Sequence, residues 1–60
     1  MKNIEHIGIA VKDIKVSNII FSKIFGKEPY KTEVVDSEGV VTSFFQLGDS
    51  KIELVSSINE

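Results

Sequence analysis

The chain has 60 residues, a net charge of −2 and no cysteine, so it holds at most one small domain and neither disulfides nor thiolate zinc sites. It has seven basic residues, all lysine, and nine acidic residues. This balance excludes the strongly basic surface of a protein that binds nucleic acid or an anionic membrane. Because a domain this small buries only about 60% of its unfolded surface, we expect a metal or a partner to support it.

The first residues predict a β-strand. Strict alternation over residues 3–11 places Ile7 and Ile9 on one face, and His6, the single histidine, on the other face. The start of the chain has no apolar core of a signal peptide, and no apolar run is long enough for a membrane span. A cytoplasmic location is therefore the default expectation.

An amphipathic helix is predicted over residues 13–25. Asp13 is a suitable N-cap, Gly26 is placed to end the helix in the left-handed conformation, and Pro29 prevents its continuation. At helical spacing, one half of this helix carries its apolar residues, Ile14, Val16, Ile20, Phe21, Ile24 and Phe25.

Three further strands are predicted beyond Pro29, at residues 30–35, 40–47 and 51–56. Residues 36–39 predict a hairpin loop between the first two, and residues 48–50 a turn before the last. The order β-α-β-β-β predicts a single α+β module over residues 1–60. Since one helix covers only one face of a sheet, the other face is predicted to be an association surface or the wall of a binding cavity.

His6 and Glu53 are the residues on that uncovered face that could bind a metal. Glu53 alternates with Ile52 and Leu54, so it points away from the helix if those apolar residues face it. Imidazole nitrogen and carboxylate oxygen together suit divalent zinc, cobalt, manganese or nickel, although two ligands are too few for a stable site. A packed or solvent-facing histidine and a solvent-facing glutamate remain the more common explanations for such residues.

Four segments together resemble the N-terminal half of the methylmalonyl-CoA epimerase family, within the vicinal oxygen chelate superfamily that includes glyoxalase I and the bleomycin-resistance proteins. These segments are EHIGIAVKD at residues 5–13, Phe25-Gly26, SEGVV at residues 37–41 and LGDSKIEL at residues 47–54. The resemblance implies one of two βαβββ modules that form an open barrel around one divalent metal. His6 and Glu53 fall at metal-ligand positions of the family, and the other two ligands would come from a second module.

The resemblance also implies an activity: interconversion of the 2R and 2S epimers of methylmalonyl-CoA, an acyl-CoA thioester, by proton abstraction and return at C2. Some relatives use a third-strand glutamate shortly after the hairpin glycine, but residues 40–43 here hold no carboxylate, so no catalytic residue is assigned. A glyoxalase I-like lactoylglutathione lyase and a non-catalytic ligand-binding module remain alternatives. The chain alone is expected to be inactive unless it pairs with a second module or with a second copy in a homodimer.

Overall fold

In the computed structural model, which describes residues 5–58, a strand and a helix precede three further strands. The elements are β1 (Glu5–Ala10), α1 (Ile14–Phe25), β2 (Lys31–Val35), β3 (Val40–Leu47) and β4 (Ser50–Ser57). A short 3-10 turn, Asp36–Glu38, lies in the loop between β2 and β3. The predicted βαβββ order and the α+β fold class are confirmed. The first two positions predicted as strand, 3 and 4, lie outside the described residues.

The four strands form one sheet in the order β1-β4-β3-β2. The pairs β4–β3 and β3–β2 are antiparallel, whereas β1 runs parallel to its neighbour β4. A parallel neighbour requires a crossover connection, and here the crossover begins with α1. The first and last strands of the module are therefore side by side, and β1 forms one edge of the sheet.

The ends of α1 are set by the two residues that the sequence indicates. The Asp13 carboxylate accepts hydrogen bonds from the backbone N–H groups of Lys15 at 3.0 Å and Val16 at 3.2 Å, which satisfies donors that have no partner within the helix. At the other end, Gly26 has φ = 72° and donates its N–H to the Ser22 carbonyl at 2.8 Å. The predicted caps are confirmed, so the chain turns back to the sheet at a defined point.

The core lies between α1 and the centre of the sheet. Phe45 of β3 and Leu54 of β4 are fully buried, and Ile52 is nearly so. The Phe25 ring of α1 packs edge-on against Phe45, with ring centroids 5.2 Å apart. Partly buried residues complete this layer: Ile9, Val11, Ile14, Phe21, Phe25 and Leu47.

The apolar half of α1 is only partly covered by the sheet. Ile14 packs against the core, but Val16, Ile20 and Ile24 are 49–66% exposed. The reason is that α1 lies over β3 and β4, so its remaining apolar side has no element beside it among residues 5–58. That side is an unpartnered apolar surface. No helix in the described part of the chain is long and apolar enough to cross a membrane.

Candidate metal centre

The face of the sheet turned away from α1 carries the side chains that could bind a ligand or take part in a reaction. Cross-strand partners share a face, so the strand register defines this surface, here called the open face. Its members are His6, Gly8, Ala10, Lys31, Glu33, Val35, Val40, Thr42, Phe44, Gln46, Lys51, Glu53, Val55 and Ser57. The apolar core residues lie on the opposite face.

His6 and Glu53 meet on the open face although 47 positions separate them in the sequence. His6 Nε2 donates a hydrogen bond to Glu53 Oε1 at 3.0 Å. The His6 side chain is about half exposed and that of Glu53 is 25% exposed. The contact depends on the parallel pairing of β1 with β4, which places Gly8 opposite Glu53 and so brings His6 one step along the same face. The expectation that the two share a face is confirmed.

The surroundings of this pair leave room for a ligand. On one side of Glu53 its register partner is Gly8, where an added Cβ would meet nothing within 4 Å. On the other side its partner is Phe44, whose ring has Lys31 Nζ 5.3 Å from its centroid. Glu53 therefore has open space on the Gly8 side, and on the other side the Phe44 ring with the Lys31 ammonium group near it.

The His6–Glu53 contact contributes little to the stability of the fold. An ion pair with this much exposure is screened by water and contributes between about 0 and 1 kcal/mol. Burial of Phe45 and Leu54 contributes far more, since each fully buried large apolar side chain is worth roughly 1.5–3 kcal/mol.

The two donor atoms fit a divalent metal as two of its ligands. Ligand atoms bound at about 2.0–2.2 Å to one ion lie roughly 3 Å apart at octahedral angles and about 3.4 Å apart at tetrahedral angles, and His6 Nε2 lies 3.0 Å from Glu53 Oε1. No group of three His, Cys, Asp or Glu side chains occurs within residues 5–58. The described face thus offers half of the four ligands that a closed site requires.

Thr42 is a second notable residue of the open face, and sequence reasoning overlooked it. It lies near the middle of β3 and is 4% exposed, yet its Oγ1 has no hydrogen-bond partner among the residues that the structure describes. A buried hydroxyl without a partner costs about 1–3 kcal/mol. A threonine in a strand gives no sequence signal of this kind, because burial of its hydroxyl depends on the neighbouring strands.

A groove of about 580 Å³ lies elsewhere, beside the start of α1. Its walls include Ile14, Val34, Val41 and Ser56, and the three strand residues belong to the helix-covered face by their register. Neither His6 nor Glu53 borders it. The groove is therefore separate from the candidate metal centre.

The described residues form a four-stranded βαβββ sheet whose open face presents His6 from the first strand and Glu53 from the fourth. The sequence pattern of the Glyoxalase/Bleomycin resistance protein/Dioxygenase superfamily matches residues 5–60. The chain belongs to this superfamily, as the sequence resemblance predicts.

Similar proteins are longer than this chain. An uncharacterised protein of Bacillus subtilis is 34% identical over 58 residues, which are 97% of this chain and 41% of that protein. The crystal structure of a hypothetical protein from Bacillus halodurans has a TM-score of 0.83 at 34% identity, over 97% of this chain and 42% of its own. The chain thus spans less than half the length of these relatives.

Solved methylmalonyl-CoA epimerases share the same architecture. A variant of the Streptomyces coelicolor enzyme, in complex with 2-nitronate-propionyl-CoA, has a TM-score of 0.82 at 28% identity, over 97% of this chain and 44% of its own. The Mycobacterium tuberculosis enzyme has a TM-score of 0.80 at 24% identity, over 93% of this chain and 39% of its own, a likeness that concerns the fold alone. The chain therefore resembles one module of such enzymes.

Proposed function

We propose that this chain is the N-terminal module of a metal-dependent methylmalonyl-CoA epimerase, which interconverts the 2R and 2S epimers of its substrate. The observation that carries the proposal is the 3.0 Å contact between His6 Nε2 and Glu53 Oε1 on the open face. The likeness to solved epimerases, one of them bound to an acyl-CoA analogue, supports the choice of substrate.

His6 and Glu53 would hold a divalent ion, namely cobalt, manganese, zinc or nickel. Such an ion supplies a Lewis acid that stabilises negative charge on a substrate oxygen. Of the chain's own residues, Lys31 and Lys51 also lie on the open face, where their charge favours binding of an anionic substrate. Phe44 is the register partner of Glu53 and places an apolar ring on the same face.

A partner module is part of this proposal, because two ligands do not make a complete site. The chain spans 41–44% of the length of its relatives, which leaves room for a second βαβββ unit in a longer protein. The edge of β1 has no strand partner within residues 5–58, and His6 is on that strand. A second module, or a second copy of the chain, that docks along β1 would bring its own side chains next to His6.

The test uses the longer protein that contains this chain and the variants His6→Ala and Glu53→Ala. Metal titration by calorimetry should show affinity for cobalt or manganese reduced at least about 100-fold in each variant, because each removes a direct ligand. Epimerisation should fall by about 1000-fold or more, since several kcal/mol of charge stabilisation are lost. Glu28→Ala is the matched control, because Glu28 is an exposed acid outside the strands.

The outcomes separate the candidate functions. Metal affinity and epimerisation that survive His6→Ala would contradict the proposal. Turnover of a glutathione hemithioacetal in place of methylmalonyl-CoA would indicate a lactoylglutathione lyase. Tight ligand binding with no metal requirement would indicate a non-catalytic binding module.

A further inference from the structure

The open face holds two carboxylates in the described part of the chain, and only one of them is engaged by His6. Glu53 lies 3.0 Å from His6, and the proposed function uses it as a metal ligand. The second carboxylate is Glu33 of β2. Residues 40–43 hold no carboxylate, and the pairing that places Glu33 beside this strand is visible only in the strand register.

Glu33 lies directly opposite Thr42 in the β2–β3 register. Side chains at such positions have Cβ atoms about 4.5–5.5 Å apart, so the Glu33 carboxylate is long enough to reach the Thr42 hydroxyl. Thr42 Oγ1 is buried and has no partner within residues 5–58, an unfavourable state that a nearby carboxylate oxygen would relieve. The register thus pairs an acceptor with a donor that needs one.

The present partner of Glu33 does not prevent this movement. Glu33 Oε2 lies 3.7 Å from Lys31 Nζ, and both side chains are about half exposed. A long and exposed ion pair of this kind is weak, so the carboxylate can turn from Lys31 towards Thr42 at little cost.

The position of Glu33 suits proton transfer to and from a substrate held near Glu53. In the strand order, Glu33 on β2 and Glu53 on β4 flank β3, which contributes Thr42 and Phe44 between them. Neighbouring strands are about 4.8 Å apart, so the two carboxylates are on strands roughly 10 Å apart. A substrate with its oxygens near Glu53 would therefore have its reactive carbon above β3, within reach of a side chain from β2.

We propose that Glu33 is the catalytic acid/base group of the open face, and that Thr42 positions it by donating a hydrogen bond to its carboxylate. The inference rests on the proposed epimerase function. Glu33 takes the proton from C2; the C–H electron pair forms the C2–C1 double bond, and the thioester C=O π pair moves to oxygen as an enolate. A group outside this chain then gives a proton to the opposite face of C2, and in the reverse direction Glu33 returns its proton.

The first test compares Glu33→Gln with Glu38→Gln in the longer protein, by following epimer interconversion and deuterium uptake at C2 in heavy water. Glu38, an exposed acid in the 3-10 turn, is the matched control. Glu33→Gln should slow interconversion by about 100- to 10,000-fold, the usual worth of a general base. Deuterium uptake into one epimer should persist, because the group on the opposite face of C2 can still remove and return a proton. Metal affinity should not change.

A second pair of variants tests the role of Thr42. Thr42→Val keeps the shape but removes the hydroxyl, so kcat should fall about 10-fold or more with little change in KM. Thr42→Ser keeps the hydroxyl and should recover most of the activity, which a purely structural role for the methyl group would not allow. Equal activity of the valine and serine variants would overturn the positioning role.

Two results would overturn the assignment of Glu33. If the unaltered protein neither interconverts the epimers nor exchanges the C2 proton, the epimerase function is wrong and the role of Glu33 fails with it. If the unaltered protein is active and Glu33→Gln matches Glu38→Gln, only the role of Glu33 is wrong.

Discussion

The two faces of this sheet differ in what their residues contribute. The helix-covered face buries Phe45 and Leu54 completely and holds the hydrophobic core. The open face holds the hydrogen-bonded pair of His6 and Glu53, both at least partly exposed. Because successive residues of a strand point to opposite faces, Glu53 and Leu54 are chain neighbours with different roles. Stability and chemistry can therefore be altered separately by substitutions only one position apart.

Leu54→Ala should have the largest effect on stability. It removes a fully buried side chain from the centre of the core, and such truncations cost about 2–5 kcal/mol. Chemical denaturation of the protein should show this loss as a lower midpoint. The neighbouring change Glu53→Ala is the control and should cost less than about 1 kcal/mol. A comparable loss from both variants would show that the two faces are not separable.

Asp13→Ala should have an intermediate effect. The Asp13 carboxylate accepts two backbone hydrogen bonds at the start of α1, and loss of an N-cap costs about 0.5–2 kcal/mol. Asp13→Ser retains an acceptor and should recover most of the loss. Metal affinity should be the same in both variants, because Asp13 is not on the open face; a matching loss of metal affinity would contradict the separation of the faces.

The coupling between His6 and Glu53 should be the smallest effect. A double-mutant cycle with His6→Ala and Glu53→Ala, measured by denaturation without added metal, should give a coupling of about 0.2–1 kcal/mol. Added salt should reduce it further, since both side chains contact solvent. A coupling of several kcal/mol would mean that the pair has a structural role that its exposure does not indicate.

Much of this arrangement can be predicted from the sequence because alternation and caps are local signals. Alternation placed His6 and Glu53 on one face, and Asp13 and Gly26 gave the ends of the helix. The exposure of Ile20 and Ile24 could not be predicted in this way, because helical spacing defines an apolar half but not the width of the sheet beneath it.

The pairing of Glu33 with Thr42 also could not be predicted from the sequence. It depends on the register between β2 and β3, which follows from the length and geometry of their connecting turn. The sequence predicted a hairpin loop there, whereas its 3-10 turn and the left-handed Gly39, with φ = 66°, appear only in the structure. Residues that meet across strands need this register before they can be recognised as a pair.

The parallel neighbours β1 and β4 have a consequence for folding. Their pairing joins the two ends of the described chain, with Glu5 opposite Ser50, whereas β2 and β3 pair across a short turn. Closing the longer loop costs more chain entropy, so the hairpin is expected to form early and the docking of β1 late. His6 then reaches Glu53 only when the last long-range contact forms. Any ion that binds both residues would bind only after β1 has docked against β4. Such an ion would therefore stabilise the folded state relative to every partly folded one.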